Sequence, residues 1–490
     1  VDQLSLQRNF FANARRDFRW VVPLTIKGGI DVRETVKDIR QDMAAFTFNG
    51  TDARASRVLD EGMSQRPGPF GFPSIDWINN QDLFALYQAN PGNFTLNEVA
   101  RYNTQISSSK HADETISAAF LRGDTQFLDG RLKLVAGIRG EQTNASGEGQ
   151  LIDVTRNYRR NATGTVILGT NGRPLPITTN ALETARLTRI DRGLRAKKEY
   201  LRWFPSINVS YDLRENMIAR AGYYQSVGRP DLVQYAGSLT LPDTEEPASP
   251  TNRTAVNNAG IKAWTAHTVK VGLEYYFEPI GVLSVSAFLR EIDNFFGDTV
   301  FAATPEFLTL YGLDPSVYGG YDVATQFNLS ETSRMSGFDI SYKQALTFLP
   351  EWASGVQVFA NTSSLRTEGP AAANFTGFVP FTANWGVSLM RSKYNVRMRW
   401  SYTGHARRGP VAEGRGIAPG TYNWASKRMI VDLNGEYRLT PRLALFASLA
   451  NLGDAPVDLQ IYGSNTPEHA QFRQRQQWGA IWTFGIKGTF

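Results

Sequence analysis

Cysteine is absent from the sequence, which removes disulfides, thiolate metal sites and thiol nucleophiles from consideration. Histidine is scarce: His111, His267, His405 and His469 stand far apart and never at helical metal-pair spacing. No metal site and no cofactor is expected. No stretch approaches the ~18 consecutive apolar residues that a membrane-spanning helix needs. That excludes a helical membrane protein but leaves a membrane β-barrel open, because barrel strands are apolar on one face only. The net charge of +6 is small for 490 residues and is spread along the chain, so no nucleic-acid footprint is present. Neither a Gly-x-Ser-x-Gly elbow nor a phosphate-cradling glycine loop occurs, and Glu245-Glu246 reads as a solvated loop pair. The sequence reads as non-enzymatic.

What the chain has is glycine and aromatic rings: 43 Gly, 29 Phe, 19 Tyr and 10 Trp, as in a large antiparallel β protein. Its last stretch, Trp478 to Phe490, alternates cleanly. Trp478, Trp482, Phe484, Ile486 and Phe490 share one face, while Thr483, Lys487 and Thr489 lie on the other, with Arg473, Arg475 and Gln477 continuing it upstream. The same period of two recurs throughout. Tyr394, Val396, Met398, Trp400 and Tyr402 oppose Asn395, Arg397, Arg399 and Ser401; Val269, Val271, Leu273 and Tyr275 oppose Lys270, Gly272 and Glu274. Roughly fifteen such segments of about 10–16 residues can be counted, against ~5–6 residues in soluble sheets. Aromatic residues gather at strand ends (Trp203 with Tyr211, Tyr275 with Phe277, Trp352, Trp385, Trp400 with Tyr402), where interfacial girdles belong.

The connections alternate short and long. Short ones lie at Phe18 to Val22, Leu128 to Gly130, Leu213 to Asn216, Glu278 to Gly281, Leu349 to Gly355, Arg391 to Lys393 and Leu439 to Pro441. Long ones span Asp38 to Lys110, Gly147 to Lys197, Pro230 to Ala263, Gly297 to Asn328, Arg408 to Asn423 and Gly453 to Gln474; Gly369 to Asn374 is short where a long one is due. This rhythm predicts an all-β, antiparallel up-and-down transmembrane barrel with turns on the periplasmic side and loops outside. An odd strand number cannot close a single-chain barrel with both ends periplasmic, so the first strands are expected to lie outside residues 1–490.

Trp203-Phe-Pro-Ser-Ile-Asn-Val-Ser-Tyr211, Met217 to Pro230, Thr268 to Phe277, Gly281 to Arg290, Ile292-Asp-Asn294, Asn451-Leu-Gly-Asp454 and the terminal aromatic strand together resemble the barrel of TonB-dependent outer-membrane receptors. The resemblance covers Lys198 to Phe490 well and the earlier part only by rhythm. It implies a barrel of about 22 strands with a plugged lumen. On that alignment these strands are the C-terminal portion, and the N-terminal plug and first strands are not in this chain. It also implies residence in the Gram-negative outer membrane as a multi-pass β-barrel, contact with outer-membrane lipid and TonB-coupled energy delivered through the N-terminal region. Barrel assembly machinery would read the C-terminal strand through Trp482, Phe484, Ile486 and Phe490, and a surface lipoprotein is a further partner to consider.

The expected function is active import of a scarce nutrient, with a carbohydrate fragment placed ahead of a metal–siderophore chelate. A passive porin and a soluble secreted glycan-binding β protein are the alternatives. Recognition is expected on the loops, because loops carry specificity on a rigid scaffold. The candidate ligand contacts are Phe70, Phe72, Trp77, Tyr87, Tyr311, Tyr318, Tyr321, Tyr422 and Trp424, whose rings could equally pack the loops together. A short helix is expected over Asn80 to Gln88. Arg139, Arg202, Arg220, Lys270, Glu274, Arg397, Arg399, Asp432 and Glu436 are expected to line the lumen. There they would pair with one another or with a plug, or form a polar wall along the substrate path.

Overall fold

Segments that alternate apolar and polar residues settle as strands, because each face can then meet a different environment. The computed structural model describes residues 2–51, 54–68, 71–256, 263–278, 280–370, 375, 377–411, 417–418 and 420–488. Its main sheet holds a meander of fifteen long strands, each antiparallel to the next. They are β1 (Asp2–Arg19), β2 (Pro23–Arg40), β3 (Lys110–Phe127), β4 (Leu132–Ile152), β5 (Arg189–Arg214), β6 (Met217–Gly228), β7 (Trp264–Phe277) and β8 (Gly281–Asp293). The second half comprises β9 (Ser333–Ala345), β10 (Val356–Glu368), β11 (Phe381–Met390), β12 (Tyr394–Thr403), β13 (Arg428–Thr440), β14 (Leu443–Ala450) and β15 (Ile481–Gly488). Among the described residues β1 pairs only with β2 and β15 only with β14, so the barrel is not closed. No described helix is long and apolar enough to cross a membrane.

One end of the meander carries tight connections such as residues 20–22, 215–216 and 441–442; the other carries the long loops. Some boundaries differ from the sequence reading. The sheet continues to Ile152 and restarts at Arg189, so the expected loop over Gly147 to Lys197 shrinks to residues 153–188. The apolar residues change face there: Leu194 and Ala196 fall on the side of Arg202, where the loops bury them, so the phase of the outer-face alternation is lost. The terminal strand is shorter at its start than expected: Gly479 turns the chain at φ 78°, a left-handed value that glycine adopts freely. Residues Phe472–Gln476, read as its upstream continuation, pair instead with Val457–Tyr462 in a separate four-stranded sheet built from loops. Phe490 lies outside the described residues.

The two faces of the meander differ in chemistry. Val269, Val271, Leu273, Val285, Leu289, Val387, Trp482, Phe484 and Ile486 all stand exposed on the outer face. Aromatic contacts rim it: Trp385 stacks on Trp400 at 6.3 Å, and Phe381 meets Tyr402 at 5.9 Å. At the short-turn end Phe277 packs on Tyr275 at 5.7 Å and on Tyr342 at 6.0 Å. The inner face is ionic. Arg399 Nη2 donates to Asp432 at 2.6 Å, Arg220 Nε to Glu274 at 2.8 Å and Lys487 Nζ to Glu436 at 2.9 Å. Lys270 sits 3.9 Å from Asp339. Arg202 lies over the Tyr200 ring at 5.8 Å, and Arg397 shares a cavity of about 470 Å³ with Asn395, Asn434, Glu436 and Lys487.

The loop after β6 folds onto this inner face. Its short helix Leu232–Tyr235 is buried with Ala236 against Ala112 of β3 and Ala145 of β4. Glycines at 147 and 149 admit the incoming backbone: a Cβ at Gly149 would stand 1.8 Å from the Gly237 carbonyl oxygen, and one at Gly147 2.3 Å from that of Tyr235. Glu141, only 6% exposed, holds the root of the loop. One of its oxygens accepts from Arg229 and the other from Arg139 Nε at 2.6 Å, while Arg139 Nη2 also reaches Asp31 at 2.8 Å. Further along, Leu241 N–H donates to Ile152 O at 2.9 Å.

Candidate functional site

The aromatic loop residues separate into three groups. In the first loop, helix Asn80–Ala89 forms as expected, its first amides capped by the Asn79 side chain. Tyr87 projects from it into a cluster with Phe46 at 5.3 Å, Phe84 at 6.2 Å and Phe94 at 5.3 Å. Trp77 is exposed, and its backbone N–H donates to Ser64 Oγ at 2.9 Å. Phe70 lies outside the described residues.

The second group packs loops together. Tyr311 and Tyr318 lie against the buried cluster of Leu194, Leu239, Leu241 and Val256, and Tyr311 meets Phe307 at 4.9 Å. Burial pushes the Tyr311 phenol up to about 12, because the phenolate would lose its water there. Tyr321 Oη donates to the carbonyls of Asp243 and Glu246 at 3.2 and 3.0 Å, and Tyr158 Oη donates to the Asp243 carboxylate. These tyrosines tie three loops into one body.

The third group converges on the loop sheet. Strands Ala406–Pro410, Tyr422–Ala425, Val457–Tyr462 and Phe472–Gln476 pair in that order. Residues opposite one another in register share a face. Arg407 lies opposite Trp424, Trp424 opposite Gln460, and Gln460 opposite Phe472, which makes one row across four strands. Two residues along, Tyr422 faces Tyr462. The Arg407 guanidinium sits over the Tyr422 ring at 4.7 Å, Trp424 meets Tyr462 edge-on at 6.2 Å, and Tyr462 Oη donates to Gln460 Oε1 at 2.6 Å. Arg475 forks onto Asp458 with two bonds of 2.7 Å and braces the end of the row. Phe72 stacks on Phe472 at 6.3 Å and joins the first loop to this sheet.

Beside the row is a pocket of about 350 Å³, within the range of ligand pockets. Arg407 and Trp424 form one wall and Leu365, Phe375, Phe378 and Pro380 the other. Phe375 is buried against Phe295 at 4.9 Å. Flat rings beside a guanidinium and a carboxamide can stack on a ligand ring and bind its oxygens at once.

Of the residues expected from sequence, Phe72, Tyr422 and Trp424 are therefore brought together, while Trp77, Tyr87, Tyr311, Tyr318 and Tyr321 lie elsewhere. Arg407, Gln460, Tyr462 and Phe472 were not singled out by sequence. The period-two pattern of Val457-Asp-Leu-Gln-Ile-Tyr462 was the available signal for Gln460 and Tyr462. No group of described His, Asp or Glu side chains could hold a metal ion.

No curated protein matches the sequence. Among solved structures, the chain is similar to the closed form of the ferric-catecholate import receptor Fiu from E. coli K12. Identity is 14% and TM-score 0.54, with 100% of this chain and 55% of that one covered. It is similar to the unliganded ferric citrate transporter FecA at 13% identity and TM-score 0.52, covering 99% and 55%. The copper transporter OprC matches at 13% identity and TM-score 0.51, covering 100% and 58%. The chain thus spans a little over half the length of each of these structures. Residues 2–452 match the family described as TonB dependent receptor-like, beta-barrel. With a fifteen-strand antiparallel meander, an apolar outer face, an ionic inner face and that match, the chain belongs to the TonB-dependent receptor barrels of the Gram-negative outer membrane.

Proposed function

We propose that this chain forms the wall and outer loops of an active-import receptor that captures a scarce nutrient and takes it up with TonB-coupled energy. The row Arg407–Trp424–Gln460–Phe472 beside the pocket carries this reading, because it gathers ring faces and polar groups at the loop end of the meander. Among the described residues β1 and β15 each have one neighbouring strand, which supports a larger cylinder in which these strands are the C-terminal portion of about 22. A plug would then fill the lumen and meet the ionic inner face. The energising complex would act through the N-terminal region, and Trp482, Phe484, Ile486 and Phe490 would serve barrel assembly.

For the substrate, a carbohydrate fragment comes first. Sugar rings present apolar faces to indole and phenol rings and hydroxyls to a carboxamide and a guanidinium. A metal chelate is the second reading, favoured by the similar structures, a ferric-catecholate import receptor, a ferric citrate transporter and a copper transporter.

The test is binding by the purified intact receptor, measured calorimetrically against oligosaccharides and ferric chelates, together with uptake by cells. Trp424→Ala should weaken binding of the true ligand by about thirtyfold, as expected for a buried aromatic anchor worth ~2 kcal/mol. Wild-type affinity and uptake in Trp424→Ala and Tyr422→Ala would move the site elsewhere.

A further inference from the structure

The ionic inner face is interrupted by a panel with almost no charge. Two rows of inward side chains cross β8 to β12 in register. One is Ser284–Ser341–Asn361–Asn384–Ser401, and the other is Ser286–Asp339–Ser363–Thr382–Thr403. Asp339 is the one charged member, and its carboxylate accepts from Ser363 Oγ at 2.7 Å and Ser286 Oγ at 3.4 Å. Asn384 Nδ2 donates to Asn361 Oδ1 at 3.2 Å, while Ser341 and Asn361 stand exposed to the lumen. Ion pairs resume at both sides. Glu274 lies opposite Ser284 and pairs with Arg220, and Arg399 below Ser401 pairs with Asp432. Five strands at ~4.8 Å spacing make the panel about 19 Å wide.

An aromatic ring bounds it at each end. Toward the loops Phe288 lies opposite Gly337, where a Cβ would stand 2.9 Å from the ring. Toward the short turns Phe359 lies opposite Gly386, where a Cβ would stand 2.6 Å from the ring. Both glycines thus let a ring lie across the sheet. Leu365 comes next in the row of Phe288 and Gly337, two residues along β10 from Ser363. Its N–H donates to Pro380 O at 2.8 Å, and both residues line the pocket beside Trp424. The panel therefore begins where that pocket ends.

Hydroxyls and carboxamides donate and accept alike, and their neutral hydrogen bonds are worth a net ~0.5–1.5 kcal/mol against water. Charged groups hold their partners more tightly, whereas passage requires several sites that each let go. We infer that the panel is a second carbohydrate subsite, inside the lumen, where sugar rings stack on Phe288 and Phe359 and hydroxyls meet the two rows between them. The assignment rests on the carbohydrate reading of the loop pocket, from which the ligand descends onto the panel.

The chain has no cysteine, so Ser341→Cys places its one thiol on the panel. Reaction of that thiol with a methanethiosulfonate reagent is followed by mass spectrometry of its peptide in the intact purified receptor. Maltohexaose, xylohexaose and a β-1,3-linked glucohexaose are the probes, with ferric citrate as the charged comparison. At least one hexasaccharide should slow labelling by about tenfold at saturation, as for a site occupied ~90% of the time. Ser448→Cys, on the inner face of β14 outside the panel, should be labelled at one rate throughout. Adding Phe359→Ala should raise the half-protecting concentration about fivefold, or ~1 kcal/mol for a ring contact, and an unshifted value overturns the assignment. Protection by no hexasaccharide overturns it, as does equal protection by ferric citrate. A thiol that is unreactive before any sugar is added makes a plug the occupant and overturns it too. If Ser341→Cys does not assemble, Asn361→Cys carries the same test. With Trp424→Ala added, protection should persist at higher sugar concentration, and its loss at every concentration overturns a separate subsite. Unchanged calorimetric affinity in Trp424→Ala refutes the loop pocket instead, while protection of the thiol still decides the panel.

Discussion

Replacing Arg229 with Ala should free the loop that β6 sends onto the inner face while leaving the meander intact. Arg229 and Arg139 divide the two oxygens of Glu141, a carboxylate 6% exposed. A buried charge stripped of every partner costs about 3–5 kcal/mol. Here Arg139 stays bound at 2.6 Å and Arg33 remains 4.0 Å away, so the charge is never uncompensated. The loss is nearer that of one hydrogen bond to a charged group, about 1.5–3 kcal/mol. Local opening of the loop should then become about thirtyfold more frequent at ~2 kcal/mol. Hydrogen exchange resolves this at the Leu241 amide, bonded to Ile152 O at 2.9 Å, and in the helix Leu232–Tyr235. Peptides from β8 should exchange as in wild type. Arg229→Lys keeps the charge but not the planar guanidinium and should fall between the two. Unchanged exchange across residues 229–241 would show that burial of Tyr235 and Ala236, and not the ion pair, anchors the loop.

Further expectations concern the same loop, the outer face and the loop cluster. Gly149→Val should expel the 232–237 segment, since its Cβ would stand 1.8 Å from a backbone oxygen, and limited proteolysis there should accelerate. A wild-type cleavage pattern would contradict that close approach. Phe484→Arg places a charge on the outer face at a depth-dependent cost of up to about 2–4 kcal/mol. Outer-membrane levels should drop, and normal levels would argue that Phe484 does not face lipid. Tyr311 offers a pH test. Its folded pKa of about 12 exceeds the usual ~10 for tyrosine, so burial of the neutral phenol stabilises the loop cluster fully below pH ~10. That contribution is lost as pH rises from ~10 toward ~12, and Tyr311→Phe should remove this dependence. Ionisation of Tyr311 together with the exposed tyrosines, followed by phenolate absorbance, would refute its burial.

The period-two pattern by itself determined which residues form the meander and which face of each strand is apolar, because alternation expresses two environments directly in side-chain type. Val269, Val271 and Leu273 against Lys270 and Glu274 needed no tertiary information. Turn chemistry fixed the alternation of short and long connections in the same local way, and the helix expected over Asn80 to Gln88 is found at Asn80–Ala89. Only the tertiary structure decided what the loops do. Tyr311 and Trp424 are equivalent as loop aromatics in sequence, yet one is packed against Leu239 and Val256 and the other borders a pocket with Arg407. The difference arises from pairings between segments far apart in the chain, such as Trp424 with Gln460 and Phe72 with Phe472. The extension of β4 and β5 was likewise hidden, since its apolar residues Leu194 and Ala196 lie on the face opposite to that of Leu201 and Trp203 and are buried by other loops. Long-range register is set by backbone hydrogen bonding and by what the neighbouring loops bury, and neither is written at a single position.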